Sequence, residues 1–243
     1  MDKPLGIKNY GHIPHLPDSR IGPGDHKCSE GQALIACEKS RDKYDEIIVT
    51  EKIDGSNVGI AKVHGDIIPL TRAGYRAETS PYKQHHIFAD FIYRNRDRFY
   101  SVLHDGERIV GEWCIQAHGT KYSFIVEPFF IFDIMTGSKR MLYDDMINRL
   151  EGKFQVPHLI HRGSPVNIKT VMDKLGIFGF SGALEQVEGA VWRVERNAVI
   201  NNKGERRKAV DFLVKYVMPD KVDGKYLVDG HEVFNECVNM GVK

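Results

Sequence analysis

Residues Ile47-Ile48-Val49-Thr50-Glu51-Lys52-Ile53-Asp54-Gly55-Ser56-Asn57-Val58-Gly59-Ile60-Ala61-Lys62-Val63 set a lysine and an Asp-Gly pair between two β-rich runs. Asp-Gly favours a tight turn, and glycine lets a neighbouring backbone or a ligand come close. Read alone, the stretch is a hairpin with a lysine at its end. Working outward, Asp66-Ile67-Ile68-Pro69-Leu70 is a third run, so from Glu46 the chain reads as successive antiparallel strands joined by Gly-containing turns. His85 to Leu103 spaces Ile87, Phe88, Phe91, Ile92 and Phe99 as one amphipathic helix. Further strands are expected at 108–115, 129–134, 190–194 and 212–217, and shorter helices at Tyr143 to Leu150, Ile168 to Leu175 and His231 to Met240. Runs of strands broken by only a few helices imply an α+β fold of antiparallel sheets flanked by helices, not a doubly wound parallel sheet.

The first 40 or so residues are rich in Gly, Pro and His, as in Tyr10-Gly11-His12-Ile13-Pro14-His15, and read as an irregular segment laid over the core. No repeat or linker divides the chain, so its 243 residues are expected to form a single domain, with no separate C-terminal domain. Hydrophobic residues at 42% against 28% charged exclude wholesale disorder. No apolar run approaches the roughly 20 residues that span a bilayer, and the N-terminus lacks the apolar core of a secretory signal. A cytoplasmic protein with no membrane partner is the expectation. Cys28, Cys37, Cys114 and Cys237 are scattered as reduced thiols would be. His12, His15, His26 and Cys28 are too irregularly spaced for a zinc site, and His85-His86 reads as a solvent-facing helix start. A net charge of +1 does not by itself demand nucleic acid; the densest basic stretch is Lys203-Gly204-Glu205-Arg206-Arg207-Lys208.

What lifts Lys52 above a hairpin lysine is a series of polar residues inside later apolar strands, where burial without a partner is costly. Glu112 interrupts Ile109-Val110-Gly111-Glu112-Trp113, Asp133 interrupts Phe129-Phe130-Ile131-Phe132-Asp133-Ile134, Glu188 opens Glu188-Gly189-Ala190-Val191-Trp192, and Lys215 sits in Phe212-Leu213-Val214-Lys215-Tyr216-Val217. With Lys52-Ile53-Asp54-Gly55 and with Arg72 in Thr71-Arg72-Ala73-Gly74, this order resembles the covalent nucleotidyltransferases, the superfamily of ATP-dependent DNA ligases, RNA ligases and capping enzymes. The likeness is greatest to the RNA ligase 2 family and runs from about Thr50 to Val217.

The resemblance implies a nucleotidyltransferase (ATP-grasp-like ligase) fold and an ATP-dependent RNA ligase. Lys52 would be the nucleophile that takes AMP from ATP, assisted by Arg72 and Lys215. Glu112 would hold the ribose, Phe132 stack on adenine and Glu51 read the base edge, with Asp54 and Gly55 completing the nucleotide-binding element. Asp133 and Glu188 would bind Mg²⁺, or Mn²⁺ in its place. Attack needs a neutral amine, so the Lys52 pKa is expected below its ordinary value near 10.4. The implied partner is a nucleic acid with a 5′-phosphate and a 3′-hydroxyl, RNA ahead of DNA; nothing in the sequence supports a protein partner. Two departures stand out: Leu213 occupies the first place of the family's Lys-x-Lys pair, leaving Lys208 or Arg207 as candidate second cations, and only 28 residues follow Lys215. A DNA ligase, or a noncatalytic nucleotide- or RNA-binding protein of the same fold, is the alternative; capping-type guanylyl transfer fits less well, because Ser56 replaces the arginine frequent there.

Overall fold

The computed structural model describes residues 2–200, 206–227 and 232–240. In chain order, helix α1 (Glu30–Cys37) precedes strands β1 (Asp45–Lys52), β2 (Ser56–Val63) and β3 (Asp66–Thr71). Helices α2 (Lys83–Arg94) and α3 (Arg96–Tyr100) lead to β4 (Glu107–Trp113), β5 (Ser123–Phe124), β6 (Phe129–Thr136) and β7 (Lys139–Arg140). Helix α4 (Tyr143–Leu150), β8 (Leu159–Gly163), α5 (Ile168–Leu175), the long β9 (Gly189–Ile200) and β10 (Arg206–Val217), and β11 (Glu236–Cys237) follow. Two antiparallel sheets carry the fold, one in the order β10-β9-β1-β8 and the other β3-β2-β4-β6-β7, which bears out the α+β reading. No helix among the described residues is long and apolar enough to cross a membrane.

The expected hairpin at Asp54-Gly55 is not one. β1 pairs with β8 and β9, whereas β2 pairs with β3 and β4, so the chain at 53–55 crosses from one sheet to the other. Gly55 is needed for that crossing rather than for a turn, since a Cβ there would lie 2.7 Å from the Trp113 carbonyl oxygen. The true two-residue hairpin joins β2 to β3, with His64 at φ 52° and Gly65 at φ 84°, both in the left-handed region that such tight turns favour. Lys52 therefore ends one sheet just before the chain enters the other, at the mouth of the space between them.

Strand alternation decides what faces that space. Ile47 and Val49 of β1, Ala190, Trp192 and Val194 of β9, and Val214 of β10 point away from it and pack with Ala36 of α1 and Val171 of α5. In the second sheet Val58, Ile60, Ile109, Trp113, Phe129 and Ile131 pack with Phe88 and Ile92 of α2 and Phe99 of α3. Each large apolar side chain so buried contributes about 1.5–3 kcal/mol, which fixes two rigid walls.

Three local expectations need correction. The helix read from His85 to Leu103 breaks at Asn95, whose side chain turns back to donate to the Phe91 carbonyl at 2.8 Å, an asparagine competing with the helix ladder. The C-terminal helix is absent among the described residues: 232–240 instead hold β11, parallel to β5, and a short 3-10 turn at Val238–Met240, because Asn235 and Cys237 point inward on either side of an exposed Glu236. His231 lies outside the described residues. Within the irregular N-terminal segment, Ser29 and Gln32 form a reciprocal capping box that starts α1.

Candidate active site

Three rows of residues cross the four-stranded sheet on the face toward the other sheet. Ile48, Arg193 and Leu213 form one row, Thr50, Val191 and Lys215 the next, and Lys52, Gly189 and Val217 the last. Gly189 belongs in that row because any Cβ would strike the Tyr216 carbonyl oxygen at 1.9 Å. A chamber opens over these rows, and Lys52, Arg72, Glu112, Phe132 and Lys215 all line it together with Asn57, Tyr10 and Leu213. Asn57 and Glu112 are cross-strand neighbours on β2 and β4, so both enter from the opposite sheet. Five of the sequence-predicted residues thus converge from five separate parts of the chain.

Lys52 Nζ donates to Glu188 Oε2 at 2.5 Å. Burial by itself lowers the Lys52 pKa, but Glu188, Glu112 and Asp54 outweigh it and hold the ammonium above the ordinary lysine value. The expectation of a depressed lysine is therefore overturned here: the carboxylates around it win over desolvation. They bear the cost themselves. Burial, and repulsion from Glu188 and Asp54 against attraction to Lys52, push the Glu112 carboxyl up to about 8. Burial also raises Glu188 and Asp54. Lys215 moves the other way, lowered first by burial and then by its proximity to Lys52. Arg72 is exposed at the rim, with Nη2 3.4 Å from His12 Nδ1.

Asp54 and Gly55 stand behind the chamber rather than in its wall. The Asp54 carboxylate accepts from the Gly119 N–H at 2.8 Å, while its own N–H donates to Tyr122 Oη at 3.1 Å.

Two of the expected residues are already engaged with protein partners. Asp133 is fully buried and its carboxylate is consumed by Arg193 Nη1 at 2.7 Å, Arg140 Nε at 3.1 Å and the Tyr10 hydroxyl at 2.7 Å. It binds β6 to β9, its oxygens already occupied by these three donors, and belongs to no group of three His, Cys, Asp or Glu that could hold a metal ion among the described residues. The cause is a bulge: Val110 pairs with Asp133 and Gly111 with Ile131, leaving Phe132 extra and aimed into the chamber while Asp133 turns to the arginines. Glu51 also lines the chamber, but alternation sends its side chain to the opposite face from Lys52, where it accepts from the Ser181 hydroxyl at 2.7 Å and the Phe180 N–H at 3.2 Å. Both bonds use Oε2; the other carboxylate oxygen, Oε1, is buried without a hydrogen-bond partner.

Of the candidate second cations, Lys208 is committed to Glu46 at 2.5 Å and Glu195 at 3.0 Å. Arg207 is exposed on β10, and residues 203–205 of the basic stretch lie outside the described residues. His85 is buried, not solvent-facing, with its ring between the Ser56 and Ser80 hydroxyls at 2.9 and 2.6 Å.

Sequence reasoning missed the N-terminal contribution. Leu16 N–H donates to the Lys215 carbonyl at 2.8 Å and Lys215 N–H to the Pro14 carbonyl at 3.0 Å, so residues 14–16 extend the sheet beyond β10. This brings Tyr10 into the wall and sets Asp25 3.7 Å from Lys215, with the buried His15 between Ser19 and Asp25. It also missed Arg193, the partner of Asp133. An arginine alternating inward in Val191-Trp192-Arg193-Val194 was the available signal.

Among the described residues no three His, Cys, Asp or Glu side chains converge as a metal cage. Glu188 is the carboxylate in position to reach a divalent ion beside Lys52. Mg²⁺ usually takes one or two protein carboxylates and completes its shell with phosphate and water, so Glu188 fits that use and Asp133 does not.

The family model described as RNA ligase matches residues 45–217. Among solved structures, an archaeal ATP-dependent RNA ligase (form 1) is 17% identical, with a TM-score of 0.45 over 87% of this chain and 48% of its own. An RNA ligase of Naegleria gruberi is 15% identical, with a TM-score of 0.48 over 88% of this chain and 60% of its own. A variant of that ligase with ATP and Mn is 16% identical, with a TM-score of 0.47 over 87% and 61%. The chain therefore spans only about half to three fifths of the length of these ligases. Among curated proteins no sequence matches it.

Proposed function

Because the chain belongs to the RNA ligase family, matched from the start of β1 to the end of β10, we propose that it is an ATP-dependent RNA ligase that forms a lysyl-AMP intermediate at Lys52, passes AMP to a 5′-phosphate and joins that end to a 3′-hydroxyl. The observation that carries the reading is the convergence of Lys52, Arg72, Glu112, Phe132 and Lys215 on one chamber.

In this reading the Lys52 ammonium is held in reserve by Glu188. Opening that bond releases a proton to solvent; the Nζ lone pair then bonds to the α-phosphorus of ATP as the bond to the β-phosphate oxygen breaks and pyrophosphate leaves, and the bonded nitrogen gives up a second proton to solvent or to the departing pyrophosphate. Lys215 and Arg72 bring positive charge to the phosphates and disfavour the protonated lysine. Phe132, half-exposed and swung inward by the bulge, offers a ring face to adenine, and Glu112 a carboxyl to the ribose hydroxyls. A divalent cation, Mg²⁺ or Mn²⁺, would be held through Glu188 and supply charge neutralisation on the phosphates. Leu213, in the row with Ile48 and Arg193, leaves that part of the chamber apolar, which suits a purine better than a phosphate.

Incubation with α-labelled ATP or GTP and a divalent ion, followed by denaturation, tests the reading. Retention of label from ATP alone, lost in Lys52→Ala, is expected; no label from either nucleotide refutes it. Joining of 5′-phosphorylated RNA ahead of DNA is the second expected outcome, and exclusive joining of DNA would reassign the substrate.

A further inference from the structure

Lys221 lies outside the residues that line the chamber, yet it is only 8% exposed. Its Nζ is surrounded by neutral oxygens: Thr120 Oγ1 at 2.5 Å, the Gln186 carbonyl at 2.5 Å and the Gly119 carbonyl at 3.2 Å. A buried ammonium is costly unless its charge is answered. The carboxylates that answer it, Asp54, Glu188 and Glu185, act at longer range and do not offset burial, so its pKa is lowered.

The two segments it joins both end at the nucleophile. On one side, the Gly119 N–H holds the Asp54 carboxylate at 2.8 Å, and a Cβ at Gly119 would lie 2.7 Å from the Val222 carbonyl oxygen and 3.0 Å from Asp54 Oδ2. That turn is pressed between Asp54 and the segment carrying Lys221. On the other side, Gln186 precedes Glu188 by two residues, and the Glu188 carbonyl accepts from the Met218 N–H at 2.9 Å. The chain after β10 thus bends at Met218–Lys221 and grips both carboxylate-bearing segments at once.

We propose that Lys221 is a positioning residue for adenylylation of Lys52: its ammonium clamps the 119–120 turn to the 186 carbonyl and so holds Asp54 and Glu188 in register around the nucleophile. The role rests on the lysyl-AMP reading above and deepens it. It also places a second cation on the segment that follows β10, the strand where Leu213 has displaced the family's first lysine, although this cation acts from behind the site rather than on the phosphates.

The test is the kinetics of label transfer from α-labelled ATP to the full chain, with Lys221→Met, which keeps the apolar stem, and Thr120→Val, which removes one neutral partner. Lys221→Met is expected to lower kcat for lysyl-AMP formation at least about tenfold with KM for ATP within about threefold, because nucleophile alignment rather than nucleotide binding is lost. Thr120→Val, expected to keep the fold, should lower kcat about threefold, because the Thr120 hydroxyl serves both Lys221 and Asp54. If Lys221→Met does not fold, an unchanged kcat in Thr120→Val overturns the role, and a larger fall in Lys221→Gln than in Thr120→Val supports it. Unchanged kcat in a folded variant, or a loss carried by KM in proportion to the fall in melting temperature, overturns the positioning role while leaving the lysyl-AMP reading intact. A wild-type chain that takes no label removes both.

Discussion

Two clusters of charge sit between the same two sheets, and they are built on opposite terms. Around Asp133, every strong group is answered: two arginines and a tyrosine hydroxyl converge on one carboxylate, and Arg193 turns its Nε to Glu195 at 2.9 Å. Around Lys52, one ammonium faces Glu188, Glu112 and Asp54, the carboxyls are raised, and the buried Asn57 Oδ1 has no hydrogen-bond partner. The first arrangement fastens β6 to β9. The second leaves imbalance where a ligand with its own charges can enter, the condition under which perturbed groups do chemistry.

The difference can be broken from either side. Lys52→Ala should abolish labelling by more than about 1000-fold while shifting the melting temperature only slightly; labelling above one per cent of wild type contradicts it. Asp133→Ala should do the reverse, destabilising the fold by about 3–5 kcal/mol by stranding Arg193 and Arg140 without a counter-charge. Urea unfolding measures this, and a loss below about 1 kcal/mol means the cluster is not a fastening. Glu188→Gln removes the nearest counter-charge of Lys52, so the pH midpoint for reaction of Lys52 with an amine-directed reagent should fall by about one unit or more; an unmoved midpoint shows that Glu188 does not hold the proton in place.

Glu112 gives an effect that depends wholly on pH and has the sharpest sign. Its folded pKa of about 8 lies above the ordinary 4.5, so the folded protein keeps a proton that the unfolded chain gives up. Stability is then lost as pH rises from 4.5 to 8. Glu112→Gln should match wild type below about pH 4.5 and gain on it steadily as pH rises, by up to about 5 kcal/mol above pH 8, since the two values stand about 3.5 pH units apart. An advantage that shrinks with rising pH reverses the assignment.

Most of the site was legible because its residues interrupt apolar strands in order, and a polar residue inside such a run must be exposed or engaged. Glu112, Glu188 and Lys215 were singled out this way, and they in turn lifted Lys52 above a hairpin lysine. Asp133 passed the same filter and was engaged by arginines instead, since the bulge at Phe132 cannot be read from an unbroken strand. Glu51 is turned from Lys52 by the two-residue period of its strand, which sends neighbours to opposite faces and leaves one of its oxygens engaged and the other without a partner. The Asp-Gly pair read as a hairpin because its short-range signal is the same whether the next strand returns to its own sheet or joins another. Lys221 gave no signal: its role depends on the 119–120 turn and Gln186, remote in sequence and joined only by folding.

The bond from Leu16 to Lys215 spans nearly the whole chain. During synthesis the N-terminal wall and Lys52 leave the ribosome before β10, which anchors that wall and supplies Lys215. Contacts of such separation form last, after loop closure has been met elsewhere. The chamber is therefore completed only when β10 zips onto β9 and residues 14–16 pair with it, so that Lys215 and the N-terminal wall arrive together.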